Sequence, residues 1–185
     1  MNIILMGYRC TGKTSAGRRL AEHMGLPFYD TDELVERKTQ RTIPQIVADQ
    51  GWQAFRDAET AVIRELSDVD HSVIALGGGA VLDARNVESL KKGGLFVWLF
   101  AAPETIAARM EKDAADGAER PSLTDKSSIS EMNDLMTDRE PLYRRLADLA
   151  VDTTRIGTDR VVEAIRNGLR DQISPADEII KGKEK

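Results

Sequence analysis

The chain has 185 residues, a formal net charge of -5, and 41% hydrophobic against 31% charged residues, enough for one domain with a real core. The acidic balance argues against a general nucleic-acid or anionic-membrane binder, and neither a basic leader nor a membrane-length apolar run is legible. Cys10 is the sole cysteine, which excludes an internal disulfide and fits a reducing, cytoplasmic setting, and with only His23 and His71 beside it zinc has no ligand set.

The first apolar run, Ile3–Met6, has strand character and passes at once into Gly7-Tyr8-Arg9-Cys10-Thr11-Gly12-Lys13-Thr14-Ser15, which opens a segment with helical spacing. Gly-x-x-x-x-Gly-Lys-Thr between a strand and a helix is a complete Walker A pattern. The glycines let backbone N–H groups turn inward, and the helix adds its positive end. Lys13 reaches the β- and γ-phosphates, and the Thr14 hydroxyl is placed for Mg²⁺. In a chain of this length the pattern arises by chance less than about once in a hundred cases. It marks a phosphate site.

Further strands are predicted at Pro27–Tyr29, Ser72–Leu76, Leu95–Phe100 and Ala147–Val151, with helical segments between them. That alternation describes βαβ units and a parallel sheet covered on both faces. Thr42-Ile43-Pro44-Gln45 is a capping box with Pro in the first turn. It opens a helix through Phe55 and on towards Leu66, with Gly51 as a break within it. Pro103 begins another helix, and Ser128-Ile129-Ser130-Glu131 is a second capping box whose helix runs to about Leu146. Between these two, Lys112–Lys126 is rich in Asp and other charged residues, with one Pro; a loop that long in a compact domain is usually functional or disordered. The tail is polar. The domain is therefore placed at residues 1–171, with 172–185 as a C-terminal tail.

A nucleotide site does not name a reaction. A GTPase would carry Asn-Lys-x-Asp, which is absent from the sequence, and a motor ATPase would end a later strand in acidic residues. Here the third strand ends in Gly77-Gly78-Gly79. A small kinase with a second pocket for an acceptor hydroxyl fits best.

Five further stretches follow the phosphate loop in order: Phe28–Glu36 (FYDTDELVE), Phe55–Glu59 (FRDAE), Ala75–Val81 (ALGGGAV), Arg120-Pro121 and Asp138–Asp148 (DREPLYRRLAD). With the loop they make residues 2–170 resemble the shikimate kinase family. The resemblance implies a three-layer α/β P-loop kinase fold with a five-stranded parallel sheet in order 2-3-1-4-5. It also implies a substrate-binding helical region at about 32–60 and a lid at about 112–126. The implied reaction passes the γ-phosphoryl of ATP, with Mg²⁺, to the 3-hydroxyl of shikimate.

Position by position, the resemblance assigns phosphate contacts to Cys10, Thr11, Gly12, Lys13, Thr14 and Ser15, and metal contacts to Thr14 and, through water, Asp30. Shikimate falls to Asp32, Arg56, Gly78 and Arg139. Arg120 is the lid arginine over the transferring group and a further ATP contact; Lys13, Asp32 and Arg120 are the catalytic set. Arg155 and Arg109 border adenine or are surface residues. The residue types suit those tasks: arginine matches a carboxylate with two parallel hydrogen bonds, and Asp32 can accept from two adjacent hydroxyls, as base or as orienting group.

Plainer readings stand beside these. Asp32 or Asp30 caps the following helix, Arg56 forms a surface ion pair with Glu59, Arg139 and Arg120 are solvated, and the glycine run is only a strand exit. A gluconate-type or other polyol kinase, and a nucleotide-binding regulator on the same fold, remain alternatives. The protein is expected to be a monomer, with no nucleic-acid or membrane partner.

Overall fold

The structure, a computed structural model, describes residues 1–115 and 129–172. Five strands, β1 (Asn2–Met6), β2 (Phe28–Asp30), β3 (Val73–Ala75), β4 (Gly94–Phe100) and β5 (Leu149–Asp152), form one sheet. All four pairings are parallel, and the order is β2-β3-β1-β4-β5, as expected. Helices α1 (Lys13–Met24), α2 (Thr31–Thr39), α3 (Ile43–Leu66), α4 (Ala84–Lys91), α5 (Pro103–Ala115), α6 (Ile129–Leu146) and α7 (Thr158–Gln172) connect and cover the strands.

The strands carry apolar side chains on both faces because both faces are covered. Ile4 and Met6 of β1, with Phe96 and Trp98 of β4, pack against Val35, Ile63 and Tyr143 from α2, α3 and α6. The alternate residues, Ile3 and Leu5 with Val97 and Leu99, pack against Leu20 of α1 and Ile165 of α7. A period of two thus divides one sheet between two cores.

Several boundaries differ from those predicted, for local reasons. Pro27 has no N–H to give the ladder; its carbonyl accepts from Val73 N at 2.9 Å, and β2 begins one residue later and includes Asp30. Ala147 N closes the last turn of α6 on Tyr143 O at 3.0 Å, so β5 starts at Leu149. Residues 112–115, expected in the polar loop, continue helix α5.

The first capping box is formed. Thr42 Oγ1 accepts from Gln45 N, and Gln45 Oε1 from Thr42 N. The break at Gly51 is also real: φ is 81° and ψ is 170° inside α3. It divides the helix into an arm bearing Ile43 and Pro44 and an arm bearing Arg56 and Glu59. Ser128 of the second capping box lies outside the described residues, as do Arg120, Pro121 and residues 173–185.

Candidate active site

The phosphate loop joins β1 to α1 at the carboxyl edge of the sheet, where open α/β sheets bind ligands. Its two glycines are needed for different reasons. A Cβ on Gly7 would stand 2.1 Å from Leu99 O, so no side chain fits. Gly12 has open space around it but φ of 91°, a left-handed geometry that disfavours other residues. Gly12 is also the N-cap of α1 and offers no side-chain acceptor to the first amides, which leaves them for an anion. Cys10 takes φ of 58° in the same loop, and its thiol faces Asp113 at 3.5 Å. Lys13 is 8% exposed and donates from Nζ to Tyr8 O at 2.7 Å, so its ammonium is held across the loop by a backbone carbonyl.

Asp30, at the end of β2, has two duties. Its Oδ1 accepts from the amides of Asp32 and Glu33, which makes it the N-cap of α2. Its Oδ2 accepts from Thr14 Oγ1 at 2.7 Å. The capping reading thus holds for Asp30 and not for Asp32, which lies in the first turn of α2 and lines the cavity. A hydroxyl and a carboxylate form a hard-oxygen pair, which suits a divalent ion that brings water and phosphate oxygens of its own.

Beside the loop lies a cavity of about 250 Å³ whose lining includes Asp32, Arg56, Glu59, Gly78, Gly79 and Arg139. Four of the sequence-predicted acceptor residues, Asp32, Arg56, Gly78 and Arg139, therefore meet in one place. Thr14 and Asp30 line the same cavity, which joins it to the metal pair.

Arg56 does pair with Glu59, Nη1 to Oε2 at 2.6 Å, but the pair is not on the surface: Glu59 is 0% exposed. The guanidinium also lies over the rings of Phe55 and Trp52, at 5.0 and 5.7 Å. Arg139 stands over the Tyr8 ring at 5.8 Å, and its Nη1 reaches Gly78 O at 3.4 Å. The same carbonyl accepts from the Tyr143 hydroxyl at 2.5 Å. Burial holds the Tyr143 phenol protonated, with its pKa pushed up to about 12.

The glycine run is more than a strand exit. A Cβ on Gly77 would stand 2.4 Å from Glu59 Oε1 and 2.6 Å from Asp32 Oδ1. A Cβ on Gly79 would meet the Arg56 guanidinium at 2.4 to 2.9 Å. The acceptor cavity's charged groups are packed directly onto a backbone without side chains.

Glu59 and Tyr143 were not singled out from the sequence as site residues. Glu59 carried a signal: Phe55, Glu59, Val62, Ile63 and Leu66 follow helical spacing, so the carboxylate sits within an apolar stripe and all five are buried. Arg109 joins the loop to the last strand rather than standing at the surface, donating to Cys10 O at 3.1 Å and Thr153 O at 2.6 Å. Ser15 and Arg155 are exposed.

Burial raises the Glu59 pKa from 4.5 to about 7, against the opposing pull of Arg56 and with a small push from Asp32. A carboxyl that is more basic when folded stabilises the fold at low pH, and that contribution is lost as pH rises from 4.5 through about 7. Its size is at most about 3 kcal/mol. Glu59→Gln has no such titration. Its melting temperature relative to the parent is expected to be more favourable at pH 8 than at pH 5.5, measured by calorimetry; a constant difference would contradict this assignment.

A Walker A loop on a parallel sheet, a hard-oxygen pair beside it, and a cavity lined by three arginines define a P-loop kinase for a small acceptor. The family model described as shikimate kinase matches residues 9–170. A shikimate kinase of Syntrophus aciditrophicus is 42% identical, covering 92% of each chain, and one of Rhodopirellula baltica is 38% identical over 95% of this chain and 94% of its own. Among solved structures, the shikimate kinase of Acinetobacter baumannii in complex with shikimate is similar, with a TM-score of 0.82 at 35% identity, covering 100% of this chain and 95% of that one. The chain belongs to the shikimate kinase family.

Proposed function

We propose that this chain transfers the γ-phosphoryl group of ATP to the 3-hydroxyl of shikimate, giving ADP and shikimate 3-phosphate, with Mg²⁺ as the metal. The observation that carries the reading is the convergence of Asp32, Arg56, Gly78 and Arg139 on one cavity next to Thr14 and Asp30. Shikimate is a small ring with a carboxylate and neighbouring hydroxyls, and this lining offers guanidinium forks for the first and a carboxylate acceptor for the second. The A. baumannii relative is described as bound to shikimate.

Thr14 would ligate Mg²⁺ and Asp30 would hold its water, and the ion would neutralise charge between the β- and γ-phosphates. Lys13 moves from Tyr8 O to the phosphates when nucleotide enters. Asp32 accepts the hydrogen bond of the attacking hydroxyl. Arg56, already oriented by Glu59 and by the two aromatic rings, needs little reordering to take the carboxylate. Positioning and charge neutralisation supply most of the rate.

In this reading the domain spans residues 1–171 and works as a monomer, and the lone cysteine fits a reducing, cytoplasmic compartment. Among the described residues, no helix is long and apolar enough to cross a membrane.

A coupled assay of ADP release across shikimate, gluconate and other polyols tests the function. Turnover restricted to shikimate is expected, and preference for gluconate would overturn the reading. Arg139→Lys is expected to raise the KM for shikimate by about 10-fold or more, because a point charge loses the bidentate fork, while the KM for ATP changes by less than about twofold. Equal losses for both substrates would place Arg139 elsewhere.

A further inference from the structure

Two of the three arginines lining the acceptor cavity are held by the protein itself. Arg56 is paired with Glu59, and Arg139 lies on Tyr8 and reaches Gly78 O. Arg9 differs. Its Nε is buried without a hydrogen-bond partner, and no carboxylate among the described residues pairs with its guanidinium. A buried guanidinium N–H with no acceptor is unfavourable, and a ligand oxygen placed there recovers the loss.

The position of Arg9 selects the kind of oxygen. The residue belongs to the phosphate loop, two residues after Gly7 and four before Lys13. Its amide nitrogen lies 3.3 Å from the point that a Gly78 Cβ would occupy, so the loop edge here is also the wall of the acceptor cavity. Thr14 and Asp30 line that cavity too, whereas Arg56 stands on the α3 wall beside Glu59 and Trp52. Arg9 is thus carried by the element that holds phosphate, but it opens on the acceptor's side.

We propose that Arg9 is a phosphoryl ligand on the acceptor side. Its guanidinium meets the non-bridging oxygens of the phosphoryl group as that group passes to the acceptor, and it holds the phosphate of the product. Arg56 and Arg139 are left to the carboxylate. In the step concerned, the acceptor oxygen forms its bond to phosphorus and gives its proton to Asp32, while the bond to the departing ADP oxygen breaks and that oxygen keeps the electron pair. Arg9 stays protonated throughout and stabilises charge without giving up a proton. The inference rests on the reading of this cavity as the shikimate site.

Arg9→Met and Arg9→Lys test it. In Arg9→Met, kcat is expected to fall by about 10- to 100-fold, the scale of a lost charge-assisted hydrogen-bond pair, with the KM for shikimate changed by less than about threefold. The dissociation constant of shikimate 3-phosphate, measured calorimetrically, should rise by a similar factor, and Arg9→Lys should recover most of that affinity. Unchanged product affinity in Arg9→Met, or equal weakening of shikimate and its 3-phosphate, would overturn the assignment. If the methionine variant does not fold, Arg9→Gln, which keeps a polar side chain and loses the charge, decides. The proposal then requires a fall in kcat with shikimate KM unchanged, and parental kcat or a shift in KM alone rejects it. The parent protein, run in the same assay, separates the two levels. Failure of the parent to phosphorylate shikimate removes the function itself, whereas an active parent with an equally active Arg9→Met removes only the role of Arg9.

Discussion

Asp32→Asn is expected to lower kcat by about 10²–10⁴ while leaving ATP binding near that of the parent. The carboxylate is carried in the first turn of α2, fixed there because Asp30 caps the helix and accepts from the Asp32 amide at 3.0 Å. Its Oδ1 lies against Gly77, where a Cβ would stand 2.6 Å away, so the side chain uses space that only glycine leaves. Asparagine matches this shape but cannot accept a proton, and it turns one acceptor oxygen into a donor. Steady-state kinetics with both substrates varied checks the result. Turnover equal to the parent would remove Asp32 from the chemistry.

Gly79→Ala should weaken shikimate binding and lower stability together. The backbone at Gly79 has φ of -111° and ψ of 0°, which alanine adopts without strain. The new methyl would instead meet the Arg56 guanidinium, the far end of a long side chain, at 2.4 to 2.9 Å. The guanidinium must therefore leave its place between Glu59 and the aromatic rings, and the proposed contact with the shikimate carboxylate goes with it. The KM for shikimate is expected to rise by about 10- to 100-fold, with the KM for ATP unchanged. The melting temperature should fall by about 5 °C or more, because the displaced guanidinium leaves Glu59, which is 0% exposed, without its partner. Parallel kinetics and calorimetry on one preparation decide the case. An unchanged melting temperature, or an unaffected shikimate KM, would show that Arg56 is not seated as described.

These two variants also mark how far the sequence could be read. The phosphate loop was fully legible because its chemistry is local: two glycines, a lysine and a threonine at fixed offsets between strand and helix. The strand order and the choice of Asp32, Arg56, Gly78 and Arg139 came from motifs in series and a family resemblance, and the sheet has the order expected. Strand ends were misjudged by one or two residues where a missing N–H at Pro27 or an extra helical bond at Ala147 decided the boundary.

The character of the Arg56–Glu59 pair was not legible. In sequence it is an ordinary i,i+3 pair, of a kind worth little on a surface. Whether such a pair is solvated depends on what is packed against it, and here that is a glycine run about twenty residues further on in the chain. The same is true of Tyr143, whose hydroxyl is committed to a carbonyl 65 residues away, and of Arg9, whose lack of a partner can be known only once its surroundings are folded.

Sequence alone determined the elements, the phosphate cradle and the kind of acceptor, because periodicity, loop chemistry and ordered motifs are properties of neighbours along the chain. Tertiary structure alone decided which charges are buried, which arginines are already engaged and why Gly77 and Gly79 carry no side chain. Those are properties of distance in space, and desolvation and steric exclusion act only after separate segments have been brought together.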